Sequence, residues 1–189
     1  MVTRIDTDIC IIGAGSGGLS VAAGAVQMGA RVVLIEGGEM GGDCLNSGCV
    51  PSKALIAAAK AAQGMRSGAG FGIAPVEPVI DYGAVKDHVA RVIAAIAPVD
   101  SQERFEGLGV RVIWDWARFT SPDEVTAGGH VIRARRFVIA TGSRPFVPPI
   151  PGIDTVPYLT NETIFALRHR PRHLIVIGGG PIGMEMAQA

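Results

Sequence analysis

The sequence has no excess of charge of either sign and few aromatic residues. Its 17 lysines and arginines balance 17 aspartates and glutamates, and phenylalanine, tryptophan and tyrosine make up 5% of the chain. Proteins that bind nucleic acid usually present a basic surface, often with aromatic side chains between the charges. The composition therefore predicts neither a nucleic-acid partner nor attraction to an anionic membrane surface.

Long apolar runs and abundant cysteine are absent as well. No segment approaches the roughly 20 apolar residues of a membrane-spanning helix. Residues 1–12 lack the basic start, apolar core and cleavage site of a secretory signal. Three cysteines are too few for the disulfide framework of a small secreted domain. We therefore expect a cytoplasmic protein with no membrane partner.

Glycine, by contrast, is abundant, with 26 residues in 189. The first glycine cluster lies inside a predicted strand, helix and strand at residues 8–12, 19–28 and 31–36. Gly13, Gly15 and Gly18 have the G-x-G-x-x-G spacing of a dinucleotide-binding turn, and Glu36 ends the next strand, where an acid binds ribose hydroxyls. A glycine-rich turn without function is the alternative, but strand, helix and acid together favour a dinucleotide site.

The rest of the chain continues an α/β pattern. A glycine-rich loop is predicted at residues 37–48, and helices at residues 51–63 and 82–96. Four short antiparallel strands are predicted at residues 110–114, 117–120, 124–127 and 130–134, and a buried strand at 137–140. An apolar strand at residues 174–177 precedes a second glycine motif, formed by Gly178, Gly180 and Gly183, which makes the two motifs an internal repeat.

Cys44 and Cys49 form a closely spaced pair. On a regular helix, two residues five positions apart are separated by about 7.5 Å along the axis. This distance exceeds the Cα separation of roughly 7 Å that a disulfide can span. A bond between them requires irregular backbone, which Gly48 and Pro51 can supply. Pro51 also predicts a helix start near Cys49, which favours the thiolate. From spacing alone, a redox-active pair, half of a zinc site and two unrelated thiols all remain open.

The residues around the two cysteines carry more information. The segment Gly41–Lys53, with the sequence GGDCLNSGCVPSK, closely resembles the redox-disulfide signature of the class I pyridine nucleotide-disulfide oxidoreductases. That family includes dihydrolipoamide dehydrogenase, mercuric reductase and glutathione reductase. The resemblance extends over essentially the whole chain, through residues 116–119, residues 140–145 and both glycine motifs. Ser52 is typical of the first two branches, because glutathione reductases usually have lysine there.

The resemblance implies a role for each matching residue. Cys49 would contact the flavin of FAD, Cys44 would exchange with substrate, and Lys53 would lie beside the flavin, paired with Glu185. The implied FAD-binding positions are Gly13, Gly15, Ser16, Gly18, Glu36, Gly42, Asp43, Lys53, Ala117, Thr141 and Gly142. Gly178, Gly180 and Gly183 would begin an NAD(P) site, and no metal is implied. Asp43 replaces a threonine of many members, and its role stays open.

The resemblance also implies an architecture. Residues 1–150 would form a Rossmann-type FAD-binding domain with three-layer ββα character and a β-meander insertion. Residues 151–189 would form a linker and the first strand and turn of an NAD(P)-binding domain. Because the rest of the nicotinamide site and the dimer domain would follow residue 189, we expect this chain to be an inactive fragment of an enzyme that is a homodimer when complete.

The function implied is electron transfer between NAD(P)H, FAD, a Cys44–Cys49 disulfide and a small-molecule or protein substrate with a disulfide or dithiol. Two alternatives are weighed against it. A non-catalytic FAD-binding module would use the glycine turn alone. A plain NAD-binding fold is disfavoured, because a dehydrogenase does not need the cysteine signature.

Overall fold

The chain divides into two compact units, one of which is built on a six-stranded sheet. The structure is a computed structural model and describes residues 3–189. One unit comprises the residues up to Asn46 and Ile96–Arg144, and the other comprises Ser47–Ala95 and Pro145–Ala189. These units are defined by compactness, and the predicted domain division at residue 150 stays a prediction.

Strands and helices follow one another in the order expected of an α/β protein. The strands are β1 (Thr3–Ile12), β2 (Val32–Glu36), β3 (Arg111–Trp114), β4 (Arg118–Ser121), β5 (Glu124–Ala127) and β6 (His130–Ile139). The helices are α1 (Ser16–Gln27), α2 (Gly42–Asn46), α3 (Cys49–Arg66), α4 (Tyr82–Ile96), α5 (Gln102–Gly107) and α6 (Pro181–Gln188). None of the helices within residues 3–189 has the length and apolar character needed to cross a membrane.

The sheet has the strand order β3-β2-β1-β6-β5-β4. β1 pairs in parallel with β2 and with β6, and β2 pairs in parallel with β3. β4, β5 and β6 are antiparallel to one another. A β1–α1–β2 crossover with a glycine turn at the carboxyl end of β1 is the defining unit of a Rossmann-type fold. The predicted fold class is confirmed.

The parallel strands are covered on both faces, which explains their apolar sequences. Ile11 and Leu34 point to the face on which α1 and α5 pack. Cys10, Val33 and Ile35 point to the other face, where they pack against residues of β5 and β6. Helices therefore cover one face of the parallel strands, and apolar side chains of β5 and β6 pack with the other face.

Two predictions about the strands of this sheet are wrong. Residues 110–114, predicted as part of an antiparallel set, form the parallel strand β3 beside β2. The long helical connection after β2 causes this, because a crossover returns the chain in the same direction. Residues 130–134 and 137–140, predicted as two strands, form the single strand β6, which pairs with β5 at its start and with β1 along its length. Arg135 and Arg136 interrupt the apolar pattern there without interrupting the strand.

The helical predictions are confirmed, and two short helices, α2 and α5, were not predicted. The helix predicted from residue 51 is α3, which begins two residues earlier at Cys49 and contains Pro51 in its first turn. The helix predicted at residues 82–96 is α4. The predicted loop at residues 37–48 contains the short helix α2.

The apolar segment at residues 174–177 is not a strand, contrary to the prediction. All four of its side chains are exposed. An apolar sequence becomes a strand only when a neighbouring strand supplies hydrogen-bond partners. Within residues 3–189, no strand pairs with this segment.

The buried core yields a prediction for Cys10. This residue is fully buried in β1, and burial raises the pKa of its thiol to about 12. Cys49, in contrast, is exposed. We expect iodoacetamide at pH 9 to alkylate Cys49 in the reduced, folded protein and to leave Cys10 unmodified. Mass spectrometry of the peptides measures both sites, with a sample unfolded in guanidinium as the control. Equal labelling of Cys10 in the folded protein would contradict the burial of this strand.

Candidate functional site

The turn between β1 and α1 requires glycine at its first position. Gly13 has a φ of +104°, a conformation that other residues rarely adopt. A Cβ atom at this position would also collide with the carbonyl oxygen of Ala140, which follows β6. The Gly13 N–H donates to the carbonyl oxygen of Ile35 at 2.8 Å. The turn is therefore held by the ends of two neighbouring strands.

Gly18 allows α1 to approach this turn closely. A Cβ atom on Gly18 would collide with the carbonyl oxygen of Gly13. The helix begins at Ser16, and its N-cap residue is Gly15, which supplies no side-chain hydrogen bond to the first turn. The first N–H groups of α1 therefore lack a side-chain cap, and with the helix dipole they favour an anion.

Gly15 differs from Gly13 and Gly18, because no packing contact requires a glycine at this position. Its φ of −77° is accessible to any residue. Among the described residues, the one atom within 4 Å of an added Cβ would be the Cα of Gly42, at 3.8 Å. The space in front of Gly15 is therefore open. A backbone without a side chain next to open space can be approached closely by a ligand phosphate.

A second glycine pair lies against the turn. The Gly41 N–H donates to the carbonyl oxygen of Ala14 at 2.9 Å, and Gly41 forms a parallel bridge with Gly15. Gly42 has a φ of +55°, and its Cβ would lie 2.7 Å from the Cα of Gly15. The predicted residue Gly42 is thus part of the same backbone cradle. Asp43 follows it, exposed, in the first turn of α2.

Glu36 links the end of β2 to the glycine turn. Its Oε2 accepts a hydrogen bond from the Ala14 N–H at 2.5 Å, and its Oε1 accepts one from the Gly38 N–H at 2.6 Å. The carboxylate is therefore fixed beside the turn. Each of its oxygens has a second lone pair, which can accept a hydroxyl of a ligand.

The remaining predicted cofactor positions of this unit also lie at the carboxyl edge of the parallel strands. Thr141 and Gly142 follow β6, whose end is tied to β1 by the hydrogen bond from the Ala140 N–H to the carbonyl oxygen of Ile12 at 2.8 Å. Gly142 has a φ of +68° and is exposed. Ala117 follows β3 and packs against the core. The carboxyl edge is where open α/β sheets bind their ligands.

A contact between two residues at this edge, Gly37 and Trp116, was not predicted from the sequence. Gly37 directly follows Glu36, and a Cβ on it would lie 2.7 Å from the Cδ2 atom of Trp116. The indole ring therefore lies against the Gly37 backbone. A glycine immediately after the strand that ends in Glu36 was the available signal.

The two cysteines of the signature lie at helical positions. Cys44 is half-buried in α2. Cys49 is the exposed first residue of the 18-residue helix α3, whose N-cap residue Gly48 supplies no side-chain hydrogen bond. Ser52 is buried and donates its hydroxyl to the carbonyl oxygen of Cys49 at 3.2 Å. The helix N-terminus predicted near Cys49 is therefore present.

Lys53 and Glu185 form an ion pair across 132 positions of sequence, as predicted. The Lys53 Nζ lies 2.6 Å from both carboxylate oxygens of Glu185. α6 is held in this place by Met186, which packs on a cluster of Ala54, Leu55 and Val89 from α3 and α4. The ion pair connects α3 to α6, the helix of the second glycine motif. Lys53 lies one helical turn after Cys49.

The second glycine motif repeats the backbone geometry of the first. Gly178 has a φ of +111°, Gly180 is the N-cap residue of α6, and a Cβ on Gly183 would collide with the carbonyl oxygen of Gly178. Unlike Gly13, Gly178 has no atom of the described residues within 4 Å of its added Cβ. The turn is formed, but within residues 3–189 it does not follow a strand.

Comparisons with known proteins all indicate the same family. A family model described as pyridine nucleotide-disulphide oxidoreductase matches residues 7–189. The mercuric reductase of Streptomyces lividans is 38% identical, over 96% of this chain and 40% of its own length. The dihydrolipoyl dehydrogenase of Thermus scotoductus is 36% identical, over 96% of this chain and 39% of its own length.

Solved structures agree with this result. The HOCl-induced flavoprotein disulfide reductase RclA from Escherichia coli matches with a TM-score of 0.78 and 29% identity, over 95% of this chain and 38% of that chain. The chain thus spans about two fifths of the length of the relatives it matches.

The packing of the first turn yields a prediction with a matched control. We expect Gly18→Ala to lower the free energy of unfolding by about 1–3 kcal/mol, because the new methyl group collides with the Gly13 carbonyl. Gly17→Ala meets no atom within 4 Å and should leave stability unchanged or raise it by up to about 1 kcal/mol. Urea unfolding followed by far-UV circular dichroism measures both. Equal unfolding midpoints for the two variants would rule out the close approach.

Proposed function

Because this chain belongs to the pyridine nucleotide-disulphide oxidoreductase family, we propose that it binds FAD and carries a redox-active dithiol formed by Cys44 and Cys49. The activity we propose for the protein is electron exchange between NAD(P)H, FAD, this dithiol and a thiol or disulfide substrate. One observation carries the proposal: a backbone cradle of glycines and the carboxylate of Glu36 meet at the carboxyl edge of a parallel sheet.

The backbone cradle suits the pyrophosphate of a dinucleotide. Packing against the protein requires glycine at Gly13 and Gly18, but no packing contact requires glycine at Gly15. This difference supports a contact between the Gly15 backbone and a phosphate. Ser16 and the first turn of α1 offer N–H groups and a positive dipole end to the phosphate charge. In the proposed site, Gly42 and Asp43 of α2 and Thr141 and Gly142 after β6 also line the cofactor.

Glu36 suits the ribose of the adenosine. Both of its oxygens already accept backbone N–H groups, and this fixes the direction of their remaining lone pairs. A pair of vicinal hydroxyls can donate to those lone pairs without displacing the existing bonds. Ala117, beyond Glu36 along the sheet edge, offers backbone groups to the base.

The dithiol role rests on the position of Cys49. It is the exposed first residue of α3, so its sulfur is accessible to a cofactor and to a substrate. FAD, when bound, supplies the two-electron carrier that connects a nicotinamide with a dithiol. In the proposed roles Cys49 serves the flavin and Cys44 serves the substrate.

Lys53 is proposed to act as a positive charge beside the flavin. Its ion pair with Glu185 fixes the ammonium group in position and balances its charge when a ligand displaces water from it. Gly178, Gly180 and Gly183 are proposed to begin an NAD(P)-binding site, since their backbone repeats that of the first motif.

The substrate class is proposed from the relatives alone. Mercuric reductase, glutathione reductase and dihydrolipoyl dehydrogenase are all similar to this chain at 35–38% identity. The names of the last two refer to a disulfide or dithiol, so we propose a small-molecule or protein substrate of that class. A homodimer is proposed for the complete enzyme.

The cofactor assignment predicts the effect of a methyl group at Gly15. Gly15→Ala should weaken FAD binding by about ten-fold or more, because the methyl group occupies the space of the phosphate. The unfolding midpoint of the cofactor-free variant should equal that of the wild type, because no protein atom crowds Gly15. Flavin fluorescence titration measures FAD affinity, with FMN as the comparison ligand and Gly24→Ala, in the middle of α1, as the control. Undiminished FAD affinity in Gly15→Ala would argue against a phosphate at this turn.

The dithiol assignment predicts a disulfide. In air-oxidised protein, peptide mapping without reductant should recover Cys44 linked to Cys49, and dithiothreitol should release both thiols. Cys10→Ala should give the same map, because Cys10 is buried in β1. If Cys44 and Cys49 both alkylate freely in air-oxidised, folded protein that still binds FAD, the chain is a non-catalytic FAD-binding module.

A further inference from the structure

Trp116 is a large aromatic side chain with no place in the core. It lies between β3 and β4 and is 73% exposed. One region of the indole is nevertheless fixed: its Cδ2, Cε2 and Cε3 atoms would lie 2.7, 2.9 and 3.1 Å from a Cβ on Gly37. These atoms surround the fused bond of the ring system, so one ring face covers the Gly37 backbone. The opposite face is available to solvent.

The backbone of Trp116 is held by a short network. The Trp116 N–H donates to Asp115 Oδ1 at 2.8 Å, and the Gly128 N–H donates to Asp115 Oδ2 at 2.6 Å. The Asp115 N–H in turn donates to the carbonyl oxygen of Glu36 at 2.9 Å. The hydrogen bonds from Gly128 and Trp116 hold the pKa of Asp115 below its usual value, so this carboxylate is charged at neutral pH. The exposed indole is therefore presented by a preorganised loop.

The order of the strands determines what lies in front of Trp116. Along the carboxyl edge, the glycine turn follows β1, Glu36 ends β2, and Trp116 follows β3. These three strands are consecutive neighbours in the sheet. A dinucleotide with its pyrophosphate on the turn and its ribose on Glu36 continues in the same direction, so its base reaches the loop after β3.

We propose that the exposed face of Trp116 stacks on the adenine of the bound dinucleotide and that Gly37 is a glycine because the ring requires that space. This inference rests on the proposed function, because it takes FAD as the ligand. Stacking of a base on an aromatic side chain is sequence-tolerant and strong enough to change affinity by roughly ten-fold or more. Trp116 is then a determinant of affinity for the adenosine half of the cofactor.

The chain offers a direct optical test. It contains two tryptophans, so Trp114→Phe leaves Trp116 as the single indole. ADP is the probe, because it shares the adenosine and pyrophosphate of FAD and does not absorb the emission of tryptophan. In the Trp114→Phe variant we expect ADP to quench the fluorescence in a saturable manner. Trp116→Ala should bind ADP and FAD roughly ten-fold or more weakly by calorimetry, and Trp116→Phe should recover part of the loss.

The remaining variants separate stacking from folding and from the proposed function. Gly37→Ala should displace the ring and weaken ADP binding to a similar extent, whereas Gly24→Ala, in the middle of α1, should bind ADP like the wild type. Circular dichroism should show that Trp116→Ala is folded, because the side chain is exposed. If Trp116→Ala binds ADP and FAD with wild-type affinity, the stacking role is wrong and the FAD site stands. If the wild-type chain binds neither ADP nor FAD, both proposals are wrong.

Discussion

The structure around the candidate site depends on one close contact, between the backbone of helix α1 at Gly18 and the carbonyl oxygen of Gly13. No side chain fits between them, so the helix can begin directly above the end of β1. This places the uncapped N–H groups of α1 at the carboxyl edge of the sheet, beside the carboxylate of Glu36. A helix that began farther from the strand would leave those groups over solvent. The anion-binding character of the edge follows from this packing.

Comparison of the two glycine motifs shows which features of the site depend on local sequence and which depend on tertiary contacts. Gly13 and Gly178 share a positive φ, and Gly18 and Gly183 share the approach to a carbonyl, so the sequence alone determines the turn. Only the first turn is supported, because Ala140 and Ile35 lie against Gly13. A turn becomes a binding edge when neighbouring strands provide the acid and the walls around it.

The same distinction explains what could be predicted from the sequence. Local periodicity predicted the positions of most strands and of α1, α3 and α4. The family resemblance predicted the roles of the glycines and the Lys53–Glu185 pair. The direction of β3 and the continuity of β6 depend on pairing with β2 and β1, which apolar patterns do not encode. The segment at residues 174–177 has a strand-like sequence without a strand beside it. Gly37 was missed because its partner, Trp116, lies far along the chain.

The residues at this edge also differ in the kind of group they present. Gly13, Gly15, Gly18 and Gly42 present backbone, and a phosphate bound there would interact with N–H groups and a helix dipole. Such contacts hold a charge without recognising which molecule carries it. Recognition requires side chains, and along this edge they occur farther from the turn, first at Glu36 and then at Trp116. In the proposed site, affinity for phosphate would therefore be concentrated at β1, and discrimination between nucleotides would increase toward β3, where a ligand meets side chains instead of backbone.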